Sequence, residues 1–208
     1  MIITKSYKFL RKLIFGNKRE KVLIEIFYEI IKSNTNSKKI AILDFGSGFQ
    51  PYVIVHLQKI FQENDFETEI TCVDLYSDDD LIVLNKKYPL INFLKVKDLN
   101  YELKYDFSII SDVLHHMDIE NKKLINKTLR DLGNLSNVII VKDHFESNKI
   151  NRLLLRIMDY FGNSFNKVYI PKKYFREDEF EVLVNECGLG VESRIRNIKL
   201  YQWYVLFF

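Results

Sequence analysis

The stretch from Ile40 to Pro51 reads I-A-I-L-D-F-G-S-G-F-Q-P: an apolar run closes on Asp44, and Gly46 and Gly48 flank Ser47 just beyond it. Glycines at that spacing let backbone approach a ligand closely, because no Cβ intervenes. A dinucleotide cradle has the pattern G-x-G-x-x-G, whose third glycine lets the helix pack on the strand while the helix N-terminus takes the pyrophosphate. Here Phe49, Gln50 and Pro51 follow Gly48, so the third glycine is missing. A carboxylate at 44 would repel a diphosphate, yet it can hold an ammonium group directly or through water. The pattern asks for a nucleotide with an amino-acid tail and no phosphate. Further along, Asp74, Asp98 and Asp112 each stand where an apolar run ends. Of the four histidines, His115, His116 and His144 also follow such runs.

Those residues need elements to bring them to one edge. Apolar residues at helical spacing run through "REKVLIEIFYEIIK", with Val22, Ile26, Phe27, Ile30 and Ile31 on one face. "KIAILDF" is a short buried strand stopped by Gly46, and "PYVIVHLQKIFQEN" returns to helix with Pro51 in its first turn. "EITCVDL", "INFLKVKDL", "YDFSIISDVLHHM" and "NVIIVKDHF" are further strands, separated by helical patterns over "DDDLIVLNKKYP" and "IENKKLINKTLRDLGN". A helical insertion over 150–168, a helix in "REDEFEVLVNECG" and a hairpin of "GVESRIRNI" with "YQWYVLFF" complete the order. Alternation of this kind gives an α/β fold, Rossmann-like and doubly wound. The sheet is expected to be mostly parallel and seven-stranded, with a C-terminal antiparallel hairpin and helices on both faces. Right-handed crossovers put the loops after each parallel strand on one edge, where ligands bind.

A cofactor with an amino-acid tail and no phosphate is S-adenosylmethionine, and at this point the chain resembles the class I S-adenosylmethionine-dependent methyltransferases of the broad small-molecule type. Asp44-Phe45-Gly46-Ser47-Gly48 is similar to the family's first motif, whose glycine loop passes beneath the methionine part of the cofactor. "CVDLY" resembles the second, implying that Asp74, with Leu75 beside it, takes the ribose hydroxyls. "KVKDLNYELKYDFSII" resembles the third, implying adenine contacts from Asp98 and the Leu99 backbone, and "SIISDVLHHM" the fourth, with Asp112 on the cofactor side. The resemblance covers about residues 38–145, with the four pieces in the family's order. It departs from the pattern at Gln50-Pro51.

Methyl transfer from a sulfonium needs in-line positioning and exclusion of water more than it needs covalent chemistry. An oxygen or nitrogen acceptor must also lose a proton, so a base beside it helps. His144, then His115, are the expected proton acceptors, with shaping of the pocket as the alternative role for His115 and His116. His56 falls within a crossover helix and reads as structural. A metal set of His115, Asp118 and His144 is not demanded by the spacing, and no metal is expected. A cofactor-binding fold acting as a non-catalytic partner subunit is a second reading, and a nicotinamide-dependent oxidoreductase a third.

The expected acceptor is a small molecule or a lipid or glycan precursor. Methyltransferases of exocyclic base nitrogens carry a polar-Pro-Pro-aromatic motif after strand four, where this chain has Ser111-Asp112-Val113-Leu114. The net charge of +3 is concentrated in residues 1–21, which hold about +6, so no basic face for nucleic acid extends over the body. The segment "KSYKFLRKLIF" interleaves Lys and Arg with apolar residues and suits either a lid or peripheral contact with an anionic membrane. Residues 1–37 are accordingly expected to form a basic segment and helix that act as a lid. Residues 38–208 form the cofactor-binding domain, with an insert at about 146–176 over the acceptor site. Cys72 and Cys187 read as buried small hydrophobes. No apolar run reaches the ~18 residues of a membrane span, and no signal-peptide pattern opens the chain, so a cytoplasmic location is expected.

Overall fold

Strand β1 (Lys39–Phe45) buries Ile40, Ile42 and Leu43 completely and is hydrogen-bonded on both sides, which explains why its sequence is an apolar run rather than an alternation. In the computed structural model, which describes residues 18–117, 119, 122–163, 171–198 and 201–207, β1 lies between β2 (Glu67–Asp74) and β4 (Tyr105–Ser111). Strand β3 (Ile91–Lys95) pairs with β2, and β5 (Ser136–His144) with β4, all parallel. Strands β6 (Gly190–Ile198) and β7 (Tyr201–Phe207) form the antiparallel hairpin, with β7 against β5. The sheet is seven-stranded in the order β3-β2-β1-β4-β5-β7-β6. The order reverses between β1 and β4, the place where open α/β sheets leave a crevice at their strand ends.

Helices cover both faces. On one, α1 (Lys18–Ser33), α2 (Tyr52–Glu63) and α3 (Asp78–Lys87) bury Phe27, Ile31, Leu57, Phe61 and Leu84 against Ile42, Ile70 and Ile140. On the other, α4 (Lys122–Leu135) and α6 (Glu177–Glu186) bury Leu129, Leu132, Phe180 and Leu183 against Leu43, Ile139 and Val141. Helix α5 (Lys149–Asn163) is the insertion after β5.

Helix α1 turns slightly from the expected orientation. Phe27, Ile30 and Ile31 are buried as the spacing predicts, but Leu23, Ile24 and Tyr28 complete the face, while Val22 and Ile26 are half-buried. Residues 1–17 and most of the stretch after α5 lie outside the described residues, as does Asp118. Cys72 and Cys187 are buried free thiols. Among the described residues no helix is long and apolar enough to cross a membrane.

Candidate functional site

Five strand ends meet at the crevice. The glycine turn after β1 is built by close approach: a Cβ on Gly46 would lie 2.3 Å from Val113 Cγ2, and Gly46 has a φ of +80°. Its N–H donates to the Val73 carbonyl at 2.7 Å, which clips the turn to β2. Gly48, at φ +68°, has open space where a Cβ would stand. Asp74 straps the two turns together. Its Oδ2 accepts from the Gly48 N–H at 2.7 Å and its Oδ1 from the Leu75 N–H at 2.6 Å. Ser47 Oγ shares a 2.5 Å hydrogen bond with the Tyr76 hydroxyl, which also donates to the Gly48 carbonyl at 2.9 Å.

Asp44 sits beneath this turn, buried. Burial, with the Asp74 charge nearby, pushes its carboxyl up to about 7. A carboxyl raised this far is only partly ionised at neutral pH. Leu75 points outward at 88% exposure, Asp98 is exposed at the end of the short helix Val96–Asp98 after β3, and Leu99 is buried. Asp44, Gly46, Ser47 and Gly48 thus lie at the end of β1, Asp74 and Leu75 at the end of β2, and Asp98 and Leu99 beyond β3.

The other half of the edge is ionic and mostly buried. Asp112 follows β4 with a left-handed φ of 58°, a conformation that Asp tolerates better than most residues. Its N–H donates to the Lys142 carbonyl at 2.8 Å, and its carboxylate takes the Lys142 ammonium. Although burial works the other way, Lys142 and the two imidazoles hold the Asp112 carboxyl below the usual carboxylate range. The short helix Leu114–His116 then presents His115, whose Nδ1 lies 2.5 Å from Asp143 Oδ1. Asp143 is fixed in turn by the N–H groups of Leu114 at 2.8 Å and His144 at 2.6 Å.

Burial alone would lower His115, yet Asp143, with Asp159 and Asp112 behind it, raises it above the ordinary imidazole range. His144, at the end of β5, is driven the other way by burial, to about 3. Its ring stands nearly edge-on to His115, with centroids 4.8 Å apart. His56 makes an i,i+4 contact with the Tyr52 carbonyl at 2.8 Å within the first turns of α2.

Sequence reasoning missed the groups that hold these histidines. Asp143 and Lys142 lie inside a strand pattern, where only the oddity of K-D-H ending a fully buried run signals them. Asp159 comes from α5, and its Oδ2 accepts from the Tyr174 hydroxyl at 2.5 Å. Glu146 is buried and accepts from Arg152 Nε at 2.7 Å and from the Tyr174 N–H at 3.1 Å. These links fasten the insertion to the strand ends.

No protein-family model matches the chain, and no curated protein does. Solved structures do. A methyltransferase described as S-adenosylmethionine-dependent, from Aquifex aeolicus, is 16% identical with a TM-score of 0.58, covering 86% of this chain and 88% of its own. The 1,6-didemethyltoxoflavin-N1-methyltransferase of Burkholderia thailandensis, solved with 1,6-didemethyltoxoflavin and S-adenosylhomocysteine, is 16% identical with a TM-score of 0.61. The match covers 98% of this chain and 84% of that one. LepI, solved with S-adenosylmethionine, is 14% identical with a TM-score of 0.60; 86% of this chain matches it, spanning 45% of LepI's length. The chain has the Rossmann-like fold of these proteins.

Proposed function

We propose that this chain transfers the methyl group of S-adenosylmethionine to an oxygen or nitrogen of a small molecule, or of a lipid or glycan precursor. The observation that supports this best is the strap from Asp74 to the Gly48 N–H, which sets an open glycine turn beside the buried Asp44 at the point where the strand order reverses. In this reading Asp44, Gly46, Ser47 and Gly48 hold the methionine part. Asp74 and Leu75 hold the ribose, Asp98 and Leu99 the adenine, and Asp112 stands on the cofactor's reacting side. The methionine ammonium supplies the cation that completes the ionisation of Asp44.

In this reading the acceptor lies under the insert, about residues 146–176. In the transfer the acceptor's lone pair displaces the thioether, and the acceptor's proton leaves. His115 precedes His144 as its recipient. Asp143 holds Nδ1 as the donor, leaving the Nε2 lone pair on the side of Asp159, 3.7 Å away, and offsets the charge the ring would gain. His144 Nε2 lies 3.9 Å from Asp112 Oδ1.

Incubation of the full chain with methyl-labelled S-adenosylmethionine and fractionated metabolite extract tests the reading. Label in a small-molecule product supports it. Cofactor binding without any labelled product favours the partner-subunit reading instead.

A further inference from the structure

We propose that His115, His144 and Asp159 form a binding site for a divalent first-row transition-metal ion, with Zn2+ the best match to the donor set. The candidate ligand atoms of these three buried residues all lie within 4.8 Å of one another. His115 Nε2 and Asp159 Oδ2 are 3.7 Å apart, too far for a hydrogen bond. That gap is close to the ~3.4 Å between two donors on one tetrahedral ion with bonds of about 2.0–2.1 Å. His144 then has to close by roughly an ångström on binding.

The surroundings are those of ligands held for a metal. A ligating histidine ordinarily gives its other ring N–H to a carboxylate, which fixes the tautomer and the ring plane. Asp143 does this for His115, and two backbone N–H groups in turn fix Asp143. Tyr174 orients Asp159 by donating to Oδ2, the same oxygen that faces His115 Nε2. Two imidazoles and one carboxylate with a further position open are the donors of many zinc and non-haem iron centres.

The charges point the same way. Asp112 is engaged by Lys142, while Asp143 and Asp159 face each other across His115, at 2.5 Å from Nδ1 and 3.7 Å from Nε2. A divalent ion between His115 and Asp159 offsets that burden. It also joins three separate elements: the turn after β4, the end of β5 and the inserted helix α5.

The site does not depend on methyl transfer. If both readings hold, His115 would hold the ion through Nε2, the ion would supply Lewis-acid activation of the acceptor, and the acceptor's proton would go to a group other than His115.

The full chain is stripped with a chelator, dialysed against Zn2+, and assayed for retained metal and for affinity by competition with a chromophoric chelator. Wild type should retain about one ion per chain. Asp159→Asn and His144→Ala should each weaken binding at least tenfold, and His56→Ala should leave it unchanged. X-ray absorption at the zinc edge of wild type should give two imidazoles at about 2.0 Å, a readout that does not depend on any variant folding. Failure of wild type to retain the ion, equal retention by Asp159→Asn and His144→Ala, or a spectrum with thiolate ligands overturns the proposal. Activity enters none of these readouts, so loss of the methyl-transfer reading would leave the site standing.

Discussion

Gly46 packs so closely on Val113 that the turn after β1 and the turn after β4 have no room for a methyl group between them. Gly48 lies two residues on, with a similar left-handed φ and open space in place of a neighbour. The two glycines therefore make different predictions. Gly46→Ala combines backbone strain with an overlap against a branched side chain, and should cost about 2–4 kcal/mol of stability. Gly48→Ala carries strain alone, about 1–2 kcal/mol, and should show mainly as weaker binding of S-adenosylmethionine. Denaturant unfolding beside calorimetry separates the two. Equal destabilisation by both substitutions would contradict the packing account.

Asp44 gives a pH prediction whose sign follows from its raised value of about 7. A carboxyl above its unfolded value binds more protons in the folded state between about 4 and 7, so its contribution to stability falls as pH rises through that window and levels off above it. An ammonium ligand needs the ionised form. Affinity for S-adenosylmethionine should therefore drop by up to about tenfold per pH unit on going from 7 down to 5. Asp44→Asn should bind weakly at all pH values and flatten that slope. A slope retained in the variant would move the titrating group elsewhere.

The Asp74 strap predicts a loss of cofactor affinity without loss of fold. Asp74→Ala removes two charge-assisted hydrogen bonds from backbone donors at the crevice. If the equivalent of one such bond, about 1.5–3 kcal/mol, is lost from cofactor binding, the dissociation constant should rise roughly ten- to a hundredfold. A thermal midpoint close to wild type in the absence of ligand checks that the loop, and not the core, has changed.

Much of this site was legible in the chain because its parts are local. At the end of an apolar strand, an acid and two glycines fall within five consecutive residues, Asp44 to Gly48, and each strand end announces itself by where the apolar run stops. The ionic half was not legible. Asp143 meets His115 across 28 residues, and Asp159 reaches it from a helix whose apolar spacing says nothing about which polar residue turns inward. Helix α1 was readable as a helix but not in its rotation, since Val22 and Leu23 are equally apolar and only packing decides between them.

The buried dyad predicts a split between binding and turnover. His115→Ala should lower the methyl-transfer rate about a hundred- to ten-thousandfold, the range for loss of a general base, while changing affinity for S-adenosylmethionine less than threefold. His144→Ala should also reduce turnover more than affinity, by a smaller factor. Asp143→Asn, which keeps the shape but loses the charge behind Nδ1, should fall between wild type and His115→Ala. Single-turnover kinetics with any acceptor found by label transfer measures all three. Unchanged rates in His115→Ala would remove this residue from the chemistry.

Helix α1 belongs to the core face of the sheet through Phe27, which is fully buried. Phe27→Ala should destabilise the chain by about 3–5 kcal/mol, measured by denaturant unfolding. A change under about 1 kcal/mol would mean that α1 leaves the sheet readily.

The central claim is that the acid-glycine turn at residues 44–48 receives a cofactor with an amino-acid tail and no diphosphate. Titration calorimetry of the full chain with S-adenosylmethionine, S-adenosylhomocysteine and NAD tests it directly. The account predicts binding of the first two, lost or much weakened in Asp44→Asn and Asp74→Ala, and no heat with NAD. Binding of NAD with no response to either adenosyl compound would contradict it.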